Sequence, residues 1–502
     1  MPHFECSSLF SDHAVLARDK EIRVFGMAET GEKVTAELRD EAGRLLAKDT
    51  AEARGGRFLC LLPPQKARTG CRLLLSCREQ TEEYADIAIG DVYFAGGQSN
   101  MELEVQNADE GQQCIRTHSN PLVRYYNVPK RSMWNEEAEQ ANRNARWAPV
   151  APGTAKDMSA VAYFFAMKLQ KETGVPVGIV DCYWGGTSVT CWLDADTLDS
   201  VREGQRYARE YAQKSAGVTM EEYLKKEKAF QADMDRWNNA VNALKKENPA
   251  ITWPEINEKA GLCPWNPPVG PGSPYRPGGL FETMTERVIP LTLTGVLFYQ
   301  GEEDAGRTER YDELLSALIR LLRAKFRDDT LPFFNVQLPM WIADGAQDTF
   351  TWPRLRLLQQ RVNDQTANSA LVCLIDQGEY DNIHPTAKRV VGERLAGEAL
   401  RMLYGRSAPA APRALGKYRA GAELHVRVSQ PLADRGEGDW LLEIAGEDGI
   451  FYPAKAEIRE EEIILSHPAV PRPQSARYAY TDYAKTRLFG ENGLPLMPFW
   501  LS

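Results

Sequence analysis

Five short, almost continuously apolar runs, at residues 87–94, 177–182, 295–299, 332–336 and 370–375, alternate with stretches of helical periodicity through the middle of the chain. A strand that is apolar on both faces has to be covered on both. The intervening helices supply that cover, so this region is predicted to be α/β, a five-stranded parallel sheet between two helical layers. The helix after the first run is well punctuated. Ser159 can cap it, Val161, Phe164, Phe165 and Leu169 share one face, and Gly174 can end it. Residues 387–403 carry a second amphipathic pattern.

The 502 residues leave room for two to four domains at about 100–200 residues each. Residues 1–88 and 416–502 alternate apolar and polar positions between Gly-containing turns, as strands of a sandwich covered on one face do. The division predicted is therefore an N-terminal β domain over 1–88, a catalytic α/β domain over 89–405 and a C-terminal β domain over 416–502. An Ala/Pro-rich linker at 407–412 precedes the last. A charged insertion at about 200–262 interrupts the α/β pattern, with Leu224, Phe230, Trp237, Val241 and Leu244 at helical spacing. It reads either as a helical hairpin packed on its own domain or as a lid or dimer arm.

A formal charge of −10 without a basic block argues against nucleic acid and anionic membrane as partners. No apolar run reaches the 18 or so residues of a membrane span. Residues 1–20 lack the basic start and apolar stretch of a secretory signal. The nine cysteines include no C-x-x-C pair. Free thiols in a cytoplasmic protein are therefore expected, although a processed secreted form would share this N-terminus. The oligomeric state stays open between monomer and homodimer.

In an open parallel sheet, ligands bind beyond the carboxyl ends of the strands. The first run ends in Gly96-Gly97-Gln98-Ser99-Asn100-Met101, the second in Trp184-Gly185-Gly186-Thr187, the third in Tyr299-Gln300-Gly301-Glu302-Glu303-Asp304, and the fifth leads to Asp381-Asn382-Ile383-His384-Pro385. Each alone reads equally well as a structural turn, and His384 alone as a loop residue capping the next helix. Together they offer a hydroxyl nucleophile, backbone and amide donors for an oxyanion, and an imidazole three residues from a carboxylate. Of the six histidines only His118 and His384 lie in the α/β region, so no metal-ligand cluster is visible. Trp184, Trp192, Trp341 and Trp352 are candidates to stack on the flat face of a ligand, with core packing as the alternative for most of them.

These motifs, together with 10–16, Arg356-Leu357-Leu358-Gln359, 391–396, 477–480 and 493–495, resemble the sialate O-acetylesterase family of SGNH hydrolases over most of the chain. The resemblance implies a flavodoxin-like SGNH core flanked by N- and C-terminal β-sandwich-like domains, no metal or organic cofactor, and hydrolysis of acetyl esters on carbohydrates. It assigns Ser99 as nucleophile, His384 as general base and Asp381 as its orienter. The oxyanion hole falls to Ser99, Gly186 and Gln300. Gln98, Asn100, Glu302 and Arg356 are the expected substrate contacts. Where relatives often carry an asparagine, this chain has Asp304, which as a carboxylate is no oxyanion donor. Two other readings stand beside a sialate esterase: a hemicellulose (xylan or mannan oligosaccharide) acetylesterase with the same motifs, and a carbohydrate-binding protein on a degenerate hydrolase core.

Overall fold

Strand β1 (Gln80–Gly97) is 18 residues long and changes character half-way. Its first half alternates exposed and half-buried positions and pairs antiparallel with Arg68–Cys77 in the N-terminal β region. From Ile87 onward every residue is buried. The division read at residue 88 thus falls inside one continuous strand, at the point where one-faced burial becomes two-faced. Val15–Ala17 lies parallel to the same strand at Ala88–Gly90, which ties the first residues of the sandwich to the central sheet. The computed structural model describes residues 4–248 and 251–502.

Strands β2 (Asn120–Asn127), β3 (Ala148–Val150), β4 (Val177–Tyr183), β5 (Gly295–Tyr299), β6 (Phe333–Val336) and β7 (Ser369–Val372) complete the central sheet. Their order is β3-β2-β4-β1-β5-β6-β7. All neighbours are parallel except β3, which runs antiparallel to β2 at the edge. The expected five-stranded parallel sheet is therefore corrected to six parallel strands in a larger mixed sheet. The strand that sequence reading passed over is β2. Arg124 interrupts its apolar pattern, and this side chain is nevertheless buried. It can be, because its guanidinium donates to the Pro121 carbonyl, the Asp86 carbonyl and the Asp86 carboxylate.

Helix α1 (Ser99–Glu102) is a single turn after β1, and α2 (Ala160–Thr173) follows the predicted signals. Ser159 Oγ accepts from the Ala162 N–H at 3.2 Å, and Gly174 ends the helix at φ 71°. The insertion forms α3 (Arg202–Ser215), α4 (Met220–Glu247) and α5 (Trp253–Ala260). Of the predicted stripe on α4 only Val241 is buried, whereas Leu224 is 47% exposed. Helices α6 (Tyr311–Lys325), α7 (Thr351–Gln365) and α8 (Lys388–Tyr404) complete the set used below.

The C-terminal region forms further antiparallel sheets, one built on Glu423–Val428 and Glu462–Ser466, another on Leu442–Ala445 and Ser475–Tyr478. Their shared core, including Val426, Ile444, Leu465 and Tyr478, continues into Leu371, Cys373 and Ile375 at the end of the central sheet. Arg356, fully buried on α7, ties this seam by donating to the carbonyls of Pro339, Ala479 and Thr481. All nine cysteines are free thiols, and only Cys263 is exposed. Among the described residues no helix is long and apolar enough to cross a membrane.

Replacing Ser159 with alanine removes the α2 cap and should cost about 1 kcal/mol. The check is a lowered denaturation midpoint with an unchanged slope.

Candidate active site

The site forms where β4, β1 and β5 end level with one another. Cys182 and Phe298 both face Gly96, and Tyr183 and Tyr299 both face Gly97. Gly97 has φ 137°, and a Cβ there would lie 2.0 Å from the Tyr299 carbonyl oxygen, so only glycine lets the chain turn against its neighbour. That turn delivers Ser99 to the first position of α1, half-buried at the sheet's edge. Its Oγ lies 2.8 Å from His384 Nε2, which arrives from the loop after β7. The nucleophile and base expected from sequence are therefore brought into hydrogen-bond contact across 285 residues of chain.

The Gly185-Gly186 turn closes on the same point. A Cβ at Gly185 would sit 3.3 Å from Ser99 Cβ. The Gly185 N–H is held by the Glu102 carboxylate, whose other oxygen pairs with Lys130. The N–H groups of Ser99 and Gly186 have no partner within the described residues. Two donors are thus left free beside the hydroxyl.

Gln300 is placed differently. It is buried, and its Nε2 donates to Gln98 Oε1, the Thr187 carbonyl and Asp304 Oδ2 at 3.2, 3.1 and 2.7 Å. An amide committed to three acceptors holds the walls of the site together. Gln98 is buried as well, its Oε1 accepting also from the Gly301 and Glu303 N–H groups. Arg356 lies in the C-terminal seam and is not brought to Ser99.

Asn100 is fully buried. Its Oδ1 accepts from Lys388 Nζ at 2.6 Å, and its Nδ2 donates to Glu302 Oε1 at 2.6 Å and to the Ile383 carbonyl at 2.9 Å. The last bond fastens the His384 loop directly to the helix that carries Ser99. Asn100 and Glu302 therefore sit beneath the reacting pair, in a buried network.

Asp381 is the sequence-selected residue that the structure does not bring into contact. Its backbone is left-handed, at φ 57°, and its N–H donates to the Ile342 carbonyl at 2.9 Å. Oδ1 accepts from the Asp344 N–H at 2.9 Å, while Oδ2 is buried and unpaired. Neither oxygen bonds His384. Of the other carboxylates in this loop, Asp376 is paired with Arg394 and Glu379 accepts from Asn382. No group of His, Cys, Asp and Glu residues able to hold a metal occurs among the described residues. A groove of about 1120 Å³ is lined by residues such as Phe25, Trp134, Arg143 and Arg287 and contains none of these groups.

The sequence pattern of the carbohydrate esterases described as sialic acid-specific acetylesterases matches residues 89–254 and 266–401, more than half of the chain. The chain belongs to this family. It is similar to the sialate O-acetylesterase of Mus musculus, with 24% identity across 80% of this chain and 74% of the mouse protein. For the sialate O-acetylesterase of Homo sapiens the figures are 23%, 80% and 71%. The crystal structure of a carbohydrate acetylesterase from Xanthomonas citri superposes with a TM-score of 0.77 at 27% identity, covering 99% of both chains.

For a member of this esterase family, Asp304 is the informative departure. It is fully buried, yet each of its oxygens accepts two hydrogen bonds. Oδ1 takes Ser188 Oγ and Tyr207 OH, both at 2.7 Å, and Oδ2 takes the Val189 N–H at 2.9 Å and Gln300 Nε2 at 2.7 Å. Four donors converge on a group that only accepts. An asparagine would point an NH₂ at two of them.

Lys388, which sequence reading passed over, is fully buried in the first turn of α8. A cation at a helix N-terminus opposes the helix dipole, and that misplacement was the available signal. Burial pulls its pKa down to about 7, with the charge of Glu302 partly restoring it. Burial pushes the Glu302 carboxyl up. His384 lies at the exposed edge of the site, and lost hydration lowers its pKa from 6.5 to about 4, with the positive charges of Lys388 and Lys245 adding to the effect. Trp192 and Trp352 are buried, while Trp184 and Trp341 are half-buried.

Three outcomes are expected. A protonated His384 cannot take the serine's proton, so ester hydrolysis should fall only as pH drops through the lowered value, and the acid limb of kcat/KM should lie well below 6.5, towards about 4. Lys388→Met removes a repelling charge and should move that limb upward; a limb that stays put would mean that lost hydration alone sets the histidine. Asp304→Asn, which leaves two buried donors facing a donor, should lower unfolding stability by about 1–3 kcal/mol in chemical denaturation.

Proposed function

We propose that this carbohydrate O-acetylesterase removes acetyl groups from O-acetylated sugars, with sialic acid as the favoured sugar, through an acetyl-serine intermediate. The observation that carries the mechanism is the 2.8 Å contact between Ser99 Oγ and His384 Nε2, beside the two free N–H groups of Ser99 and Gly186. In this reading Ser99 Oγ attacks the acetyl carbonyl carbon as its proton passes to His384 Nε2. The negative oxygen of the tetrahedral intermediate is held by the Ser99 and Gly186 N–H groups. Gln300 serves this oxyanion hole indirectly, by bracing the Thr187 carbonyl next to Gly186. Collapse of the intermediate breaks the bond to the sugar oxygen, which takes the proton back from His384. Water then repeats the sequence on the acetyl-serine and releases acetate.

Asp381 is the proposed orienter of His384. Its buried, unpaired Oδ2 is an acceptor in want of a donor, three residues from an imidazole whose Nδ1 has no partner. A small turn of that carboxylate on substrate binding would satisfy both groups, as catalytic hydrogen bonds often tighten only in the complex. The sialate preference rests on the family and on the named activity of the mammalian relatives. Oligosaccharide acetyl esters remain the second reading because the Xanthomonas citri protein is described only as a carbohydrate acetylesterase.

The test is acetate release from 9-O-acetylated sialic acid, acetylated xylo- and manno-oligosaccharides and a small acetate ester. Ser99→Ala and His384→Ala should each lose about three orders of magnitude or more in kcat on every substrate. Asp381→Asn should lose less. Near-normal turnover by Ser99→Ala would falsify the mechanism, and preference for the oligosaccharides would replace sialic acid as substrate.

A further inference from the structure

The loop after α5 brings an aromatic residue onto the oxyanion turn. Gly186 has φ 70°, and a Cβ on it would lie 2.3 Å from Trp265 Cζ2 and 2.8 Å from Cη2. The indole edge therefore rests on the face of the glycine whose N–H is free. Two other rings fix its orientation from the sides: Phe230 of α4, edge-on at 5.9 Å, and Tyr275, edge-on at 5.7 Å. Despite these contacts Trp265 remains 45% exposed. A large apolar ring held in place by other rings and left open to solvent is unusual unless something covers it in use. The family's sequence pattern covers residues 89–254 and 266–401, so Trp265 lies just outside its matched residues.

We infer that Trp265 is a substrate-binding platform on which the sugar leaving group of the ester stacks, so that the insertion sets which acetylated sugars are accepted. The acetyl group itself is too small to need this surface. With its carbonyl oxygen at the Ser99 and Gly186 N–H groups, the remainder of the ester extends past Gly186, where the indole lies. The C–H face of a pyranose is apolar and flat enough to cover an indole, while its hydroxyl groups stay in water at the rim.

This inference rests on the esterase reading above, and the experiment separates the two. The substrates are 9-O-acetylated sialic acid, an acetylated xylo-oligosaccharide and ethyl acetate, whose leaving group has no ring to stack. Trp265→Ala should raise KM for at least one sugar ester by about tenfold or more, leave ethyl acetate within about threefold, and regain most of the loss as Trp265→Phe. Equal loss on sugar esters and ethyl acetate would show that the ring only shapes the Gly186 turn and would overturn the platform. Unchanged kinetics on both sugar esters would overturn it too. A folded wild-type protein without serine-dependent turnover of any of the three would overturn the esterase reading, and the platform with it.

Discussion

The contact between Ser99 and His384 depends on one buried amide. Asn100 follows Ser99 in sequence, and its side chain grips the carbonyl of Ile383, the residue before His384. Ser99 and His384 leave the sheet on different strands, β1 and β7, with β5 and β6 between them. Loops crossing that span have many conformations to lose. A hydrogen bond from the nucleophile's own helix removes that freedom at the one place where it would spoil a 2.8 Å contact. The amide cannot flip, because Lys388 requires its oxygen and Glu302 its nitrogen. Buried charges here act as orientation devices, and their cost in desolvation is met by a function that a hydrophobic pair could not perform.

Much of this was legible in the sequence because it is carried by side chains whose chemistry has few other uses at strand ends. The two-faced apolar runs announced five strands, and the Ser159 and Gly174 signals marked both ends of α2. Ser99 and His384, which the structure brings into contact, stood out because histidines are scarce in the α/β region. What stayed hidden was whatever satisfied itself through partners distant in sequence. Strand β2 was masked by Arg124, which looks like a surface residue until Asp86 is placed beside it. Gln300 and Gln98 sit in the right motifs, but the direction of an amide is set by neighbours that only the fold supplies. Asp381 shows the converse: spacing from His384 was legible, whereas the turn of its carboxylate toward Asp344 was not.

Asp304 clarifies how a chain can differ from its family's pattern without losing the site. Exchange of an amide for a carboxylate in a buried position normally leaves a charge without compensation. Here Tyr207, contributed by α3 at the start of the insertion, adds a donor to those of Ser188, Val189 and Gln300. A carboxylate then becomes the better acceptor, and the insertion is bonded to the floor of the oxyanion turn.

The same coupling gives the insertion a physical reason to stay in place although little of α4 is buried. Its root is fixed by Tyr207 on Asp304 and by Arg307 paired with Glu210, and its far end returns through Trp265 to Gly186. Both anchors meet the oxyanion turn, one from beneath and one across the glycine's open face. A movement of the arm would therefore be felt first at the Gly186 N–H, whose position decides how well the developing charge is held. Under the proposed mechanism, an element attached in this way would link recognition of the sugar to the chemistry at the acetyl group, because Trp265 packs directly on Gly186.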